Sequence, residues 1–255
     1  MILESVVIVT FALLLDFLVG DPKTKYHPTA WIGKLIASLV PFTKSNSVRK
    51  ELIGGILLVS VIVVTVCTVL VVLDIGISLL TIDIVSLIVS IAVGSILLKT
   101  TIAIRGMQKH ALAVVDAVEK GDLGSARNHL SMIVKRDTKN LDKNHILSGV
   151  LESVSENTVD GITGPLFYYA IFGLPGAFVY RAINTVDSMI GYKTTLFKNV
   201  GWFGAKCDTV LNYAPSRLTG LVMILGALIL GYNWKESLYI MRRDSGKLES
   251  TNAGF

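Results

Sequence analysis

The apolar positions of this chain fall into long unbroken runs, without the alternation of a strand or the single stripe of a soluble helix. Residues 2–19, 53–73 and 75–98 each approach the length of about 20 residues at which a helix crosses a bilayer. A fourth run, 218–232, is shorter. The first has no basic leader and no small-residue cleavage site, which predicts a retained span. From 53 to 98 the only charges are Asp74 and Asp83, so the pair of runs reads as a hairpin with its turn there. The flanking segments 21–51 and 99–143 are rich in Lys and Arg, which predicts that they face the cytoplasm and the turn faces out.

Other stretches change period. Residues 31–42 form a short amphipathic piece, followed by the basic loop 44–50. From 99 to 151 the pattern becomes that of a soluble helical segment, with helical spacing over 102–118, a break at Gly121-Asp122 and a second helix over 124–134. Residues 165–180 are apolar but interrupted by Gly173-Leu174-Pro175-Gly176, which predicts a broken or re-entrant helix. Such backbone is tolerated at membrane depth only where it lines a protein cavity. The predicted class is therefore all-α: an integral membrane helical bundle with one broken or re-entrant helix and a small amphipathic helical segment on the cytoplasmic side. The chain divides into four regions: membrane helices with a polar loop at 20–51 (1–98), amphipathic helices (99–151), a polar site region around an apolar hairpin (152–217), and a last membrane helix with the C-terminus (218–255).

Composition supports this and narrows the function. With 52% hydrophobic and 17% charged residues, the chain does not match an ordinary soluble domain. The net charge of +5 fits basic loops beside an anionic leaflet. No compact basic domain or recognition motif is present, so nucleic acid is not an expected partner. Cys67 lies in an apolar run, Cys207 lies in a polar loop, and His27, His110, His129 and His145 are scattered, so neither a disulfide framework nor zinc is expected. Haem and flavin are not expected either. There is no phosphate-binding glycine loop or dinucleotide fingerprint, so a nucleotide must be held in another way.

The candidate chemistry lies in 151–192. On a helix Glu152, Glu156 and Asp160 stack at spacing four along one face, with Asn157 at its edge. Asn184, Asp187 and Ser188 repeat the pattern beyond the Gly164-Pro165 break, so two acidic faces flank one apolar hairpin. Carboxylate and amide oxygens of this kind suit Mg2+ bound alongside phosphates. A solvated helix start with capping Asn and Asp side chains would use the same residues. Asp16 at the edge of a span is costly and points to function. It runs into Asp21, Pro22, His27 and Pro28, where a plain exit turn explains the prolines alone. Arg136 can clamp a phosphate bidentately or pair with Asp137 or a helix end. Asp208 and Asn212 sit one turn apart before Pro215-Ser216-Arg217.

Gly20-Asp21-Pro22 with His27-Pro28 and Gly33, Arg136-Asp137-Thr138, Glu152-Ser153 with Glu156-Asn157, Asp160-Gly161 with Pro165-Leu166-Phe167, Asn184-Thr185 with 187–192, and Asn212 with Pro215-Ser216-Arg217 occur in one order from about residue 15 to 219. This ordered set resembles the CobD/CbiB family of cobalamin biosynthesis. The resemblance implies an adenosylcobinamide-phosphate synthase, a multi-pass protein of the cell membrane with its active site at the cytoplasmic face. Such an enzyme joins aminopropanol, or its O-phosphate, to the propionate carboxylate of (adenosyl)cobyric acid as an amide at the expense of ATP. On that chemistry Glu152, Glu156, Asp160 and Asp187 are expected to hold Mg2+ and, with His27, to be catalytic. Asp21, Arg136, Asp137, Asn157, Asn184, Ser188, Lys193, Asp208, Asn212 and Arg217 are expected to contact substrates.

Two departures stand out. Asp208-Thr209 occupies a place where the family often has paired aspartates, and relatives continue beyond a motif like Asn252-Ala253-Gly254, which predicts a shortened C-terminus. The expected partners are the corrinoid, the amine and the lipid bilayer; an oligomer is compatible with the sequence. Two other classes use some of the same residues. A Mg-dependent membrane transferase acting on a diphosphate would share Asn184 and Asp187, and an ion-coupled transporter would place Asp16 and Asp187 along its path.

Overall fold

A computed structural model describes residues 2–192, 194–245, 247 and 252. They form an all-helical bundle with no strand among the described residues. Helix α1 (Ile2–Val19) leads through a short 3-10 turn into α2 (Pro28–Thr43), followed by α3 (Val48–Ser78) and α4 (Asp83–Lys99). The amphipathic set is α5 (Ile104–Glu119), α6 (Leu123–Ser131) and α7 (Lys143–Thr158). A π-helical turn, Val159–Thr163, joins α7 to α8 (Gly164–Ile190), and α9 (Trp202–Leu211), α10 (Tyr213–Ile229) and α11 (Trp234–Asp244) complete the order.

Four helical stretches are long and apolar enough to cross a membrane: Ile2–Val19, Val48–Ser78, Asp83–Glu119 and Lys143–Ile190. Only 17% of the apolar window of α1 and 28% of that of α3 is buried. Most of their apolar surface therefore has no protein partner, and lipid is the medium that suits it. Among the helices, α1 packs on α4, and α3 packs on α2, α8 and α9. The central core joins Ile32 and Ile36 to Leu58, Ile62, Phe178, Val186 and Ile190. A second cluster, with Ile8, Ala12, Leu98, Ile102, Tyr169 and Ala177, ties α1 and α4 to the first half of α8. Contact between spans depends on close approach, because lipid tails are as apolar as the side chains they would replace. At Gly94 of α4, a Cβ would stand 2.9 Å from Ile8 Cδ1 of α1.

The amphipathic segment has its own small core, with Val114, Val118, Ala126, Leu130, Ile146 and Val150 buried between α5, α6 and α7. Its helices start on side-chain caps: Asp122 accepts from Ser125 N and Asp142 from His145 N, each at 2.9 Å. Those bonds favour the ionised carboxylates and hold both acids below their ordinary pKa.

Two expectations meet the structure here. The hairpin expected with Asp74 and Asp83 at its turn is present, but its first helix is longer: α3 continues to Ser78, and the chain reverses over 79–82, with Asp83 opening α4. Asp74 thus lies inside the helix, because the apolar residues 75–78 extend α3 and do not begin the next span. The break expected in 165–180 is present at Gly173, whose φ of 65° and ψ of −154° interrupt α8 ahead of Pro175.

Candidate functional site

Helix α7 ends at Thr158, and the wider turn Val159–Thr163 shifts the residues beyond it by about one position from α-helical register. Glu152 and Glu156 lie on α7, and Asp160 lies in the turn itself. Glu152 and Glu156 are exposed, whereas Asp160 turns inward. Beyond the break in α8, Tyr180, Arg181, Asn184 and Asp187 recur at helical spacing and face the junction of α9 and α10, which delivers Asp208 and Asn212.

All of these except Asp187 join Asp160 in one hydrogen-bonded network. Tyr180 OH donates to Asn212 Oδ1 at 2.6 Å and lies 3.4 Å from Asp160 Oδ1. Asn212 Nδ2 donates to Asp208 Oδ2 at 3.0 Å and to Asp160 Oδ1 at 3.2 Å. Asn184 Nδ2 donates to Asp208 Oδ1 at 3.3 Å. Arg181 Nη1 donates to the Asp160 carbonyl at 3.0 Å and to Asn184 Oδ1 at 3.3 Å. Tyr180 stacks on Tyr168, with ring centroids 5.3 Å apart, and the Tyr168 hydroxyl donates to Leu211 O at 2.9 Å. The aromatic pair thus fastens the broken helix to the α9–α10 junction.

Asp160 and Asp187 lie close enough to repel both Glu156 and Asp208, and the positive charge of Lys135 acts on Glu156 and Asp187. Lys135 also lies 4.7 Å from the Tyr192 ring centroid. Burial, followed by the charges of Asp160 and Asp187, pushes the Asp208 carboxyl up to about 7.

A second polar cluster borders the first. Asp16 is fully buried, and its Oδ2 accepts from Arg105 N at 2.9 Å. Lys99, only 5% exposed, places Nζ 2.9 Å from Asp21 Oδ1 and 3.6 Å from Asp16 Oδ1. His27 caps α2, with Nδ1 accepting from Thr29 N at 3.3 Å, while Nε2 stands 4.0 Å from Asp21 Oδ1. Burial lowers the His27 pKa against the opposing pull of Asp21, and Lys99 and Arg181 lower it further. Arg181 is close enough to act on both His27 and Asp21, so it links the two clusters.

Several expected residues stand apart. Arg136 Nη2 pairs with Glu152 Oε2 at 2.9 Å, with both side chains well exposed. Asp137 is exposed, and its Oδ1 accepts from Lys139 N. Ser188 is exposed and engages Lys135 and Tyr192 through its carbonyl. The Arg217 guanidinium lies 3.5 Å from the Tyr213 ring centroid, and its Nη1 donates to Tyr213 O at 2.7 Å. Asn157 donates to Ser153 O at 2.8 Å. Lys193 lies outside the described residues. Sequence reasoning missed Tyr180, Arg181 and Lys99. Arg181 had a usable signal, a charge inside an apolar stretch; Lys99 closes an apolar run and reads as an ordinary membrane-exit lysine.

Among the described residues, no group of three or more His, Cys, Asp and Glu side chains is placed to hold a metal ion. The four expected ligands are thus not a ready-made cage. Their chemistry still fits magnesium, which commonly takes one or two carboxylates together with substrate phosphates. The side chains of Glu156 and Asp187, without a hydrogen bond or ion pair among the described residues, are the ones available for this.

A family model described as CobD/Cbib protein matches residues 9–255. The chain is 37% identical over 253 residues to "Probable cobalamin biosynthesis protein CobD" of Methanothermobacter thermautotrophicus, covering 99% of this chain and 80% of that one. It is 41% identical over 247 residues to "Cobalamin biosynthesis protein CobD" of Leptospira interrogans, with 96% and 76% covered. It is 39% identical over 258 residues to the protein of the same name in Geobacter metallireducens, with 98% and 77% covered. No solved structure matches the chain. A family model over nearly the whole length, with curated relatives matching on the same span, means that this chain belongs to the CobD/CbiB family.

Proposed function

We propose that this chain is a membrane enzyme of cobalamin biosynthesis, an adenosylcobinamide-phosphate synthase. It joins the propionate carboxylate of (adenosyl)cobyric acid to aminopropanol or its O-phosphate, with ATP supplying the driving force and the site at the cytoplasmic face. The observation that carries this reading is the network of Asp160, Arg181, Asn184, Asp208 and Asn212, which joins the π turn and the second half of a broken membrane helix to the α9–α10 junction, in a chain of this family.

A carboxylate is a poor acyl donor because its leaving group would be an oxide. Transfer of the ATP γ-phosphoryl to the propionate oxygen gives an acyl phosphate and ADP. Attack of the amine nitrogen on the carbonyl carbon then forms the amide and releases inorganic phosphate, with the nitrogen giving up its proton. Glu156 and Asp187, together with Asp160 and Glu152, are the residues that would hold Mg2+. When bound beside the nucleotide, the ion neutralises charge on the transferring phosphoryl group.

Asn184 and Asn212 fix the two Asp208 oxygens, and Arg181, held on the Asp160 carbonyl, brings one positive charge beside the acids. That charge suits the phosphoryl or developing acyl oxygen. His27 accepts from Thr29 N through Nδ1, so its neutral ring carries the proton on Nε2, toward Asp21. The proton of the attacking ammonium is therefore assigned to one of the acids, with His27 orienting Asp21.

The test is a mass-spectrometric assay of membranes carrying this chain, given cobyric acid, aminopropanol phosphate and Mg-ATP, with each omitted in turn. Cobinamide phosphate formed only in the complete mixture supports the synthase. Product formed without ATP, or absence of product from this chain and from one extended as in its relatives, overturns it.

A further inference from the structure

We propose that Lys135 is the counter-ion of the acidic site: its ammonium offsets the charge of Glu156 and Asp187 while no divalent ion is bound, and Mg2+ must displace it. Lys135 is thus a positioning residue that sets the metal affinity of this chain. The proposal rests on the reading of Glu156 and Asp187 as metal ligands.

Lys135 belongs to the linker between α6 and α7, yet its side chain reaches across to the end of α8. Its Nζ stands 3.4 Å from Ser188 O and 4.7 Å from the Tyr192 ring centroid, and the Tyr192 hydroxyl donates to the same carbonyl at 3.0 Å. Asp187 is turned to this end of the helix as well. Its Oδ1 lies over Gly191, where any Cβ would overlap it. From this place the charge of Lys135 acts on both Asp187 and Glu156.

The contacts that hold Lys135 are weak enough to exchange. Its one hydrogen bond is longer than an ordinary N–H···O bond, and the side chain is exposed. Neither Glu156 nor Asp187 fixes it in an ion pair among the described residues. The neighbouring cations are engaged elsewhere: Arg136 pairs with Glu152 at 2.9 Å, and Arg181 donates to the Asp160 carbonyl at 3.0 Å. Two carboxylates therefore share one loosely held unit charge. A divalent ion on the same oxygens brings twice that charge and repels the ammonium it replaces. A lysine that served merely to cap the carbonyl end of α8 would make the same contact, but its loss would not tighten metal binding.

The experiment is calorimetric titration of the full chain in detergent with Mg2+ alone, comparing the parent with K135M and K135R. The first removes the charge and keeps an unbranched stem; the second keeps the charge. The expected result is Mg2+ bound about ten-fold tighter by K135M, the scale of one unit charge nearby at a wet protein surface, and within about two-fold of the parent by K135R. Without metal, K135M should also melt below the parent, and saturating Mg2+ should close that gap. Lys135 is exposed, so the variants are expected to fold; K135Q decides the matter if K135M does not. Unchanged or weaker Mg2+ binding in the folded neutral variant, or binding by K135R as tight as by K135M, overturns the proposal and leaves the metal reading standing. No Mg2+ binding by the parent or by any variant overturns both.

Discussion

Tyr180 donates its hydroxyl to Asn212 Oδ1 at 2.6 Å, and through this bond the second half of a broken membrane helix holds the α9–α10 junction against the acids. Both residues are buried. Tyr180→Phe removes the donor and leaves the Asn212 acceptor in a dry site, a cost of about 1–3 kcal/mol. Thermal unfolding in detergent should show a lower midpoint, and activity should fall with it as Asn212 loses its hold on Asp160 and Asp208. An unchanged melting curve would mean that the bond contributes nothing.

The acids should separate by mutation. Glu156→Ala and Asp187→Ala are each expected to lower product formation at least 100-fold, because they remove the oxygens available to a metal ion. Glu152→Ala removes one proposed metal ligand and, within the protein, breaks an exposed pair with Arg136. Such pairs are worth about 0–1 kcal/mol, so stability should barely move. Full activity in both Glu156→Ala and Asp187→Ala sinks the metal proposal.

Asp208, pushed up to about 7 by burial and by Asp160 and Asp187, gives the site a pH dependence. Below that value the acid is protonated and repels nothing; above it the ionised form adds negative charge for a cation. Mg2+ affinity should therefore rise as pH passes from 6 to 8, and Asp208→Asn should flatten that rise. The stability effect has the opposite sign. The folded-state pKa is raised above the unfolded one, so the stabilising contribution is complete below about pH 4 and is lost as pH climbs through about 7. Titration of Mg2+ binding and of the melting midpoint on the same samples checks both signs.

Gly173 sits at φ 65° and ψ −154°, a region open essentially to glycine alone. Gly173→Ala should cost about 1–3 kcal/mol or force α8 toward a continuous helix, turning Arg181, Asn184 and Asp187 away from Asp208. Faster proteolysis together with loss of activity is the expected outcome. A variant as stable and active as the parent would show that the break is incidental.

Topology can be read by labelling. With Cys67 and Cys207 replaced by Ser, a cysteine at Thr81 in the α3–α4 turn should react with an impermeant maleimide from outside intact cells. One at Lys139, between α6 and α7, should react only after permeabilisation. The reverse pattern would place the acidic site on the outer face.

The sequence by itself determined the membrane class, because runs of apolar residues near bilayer length have few other homes. It also located the α8 break, since glycine and proline act on their own backbone. The ordered polar motifs were enough to point to the family. Which acids meet was left to the tertiary structure. Spacing of four lined up Glu152, Glu156 and Asp160, and only the packing of α8 and α10 on the π turn brought Tyr180 and Asn212 to Asp160. Helix α3 ran past Asp74 to Ser78 before the turn at 79–82, because an apolar run carries no mark of where one helix stops. Lys99 looked like a lysine at a membrane edge until packing of α1 on α4 brought it between Asp16 and Asp21. Local backbone preference and hydropathy are written residue by residue along the chain. Charge pairing across 78 positions, as between Asp21 and Lys99, exists only once the helices have packed.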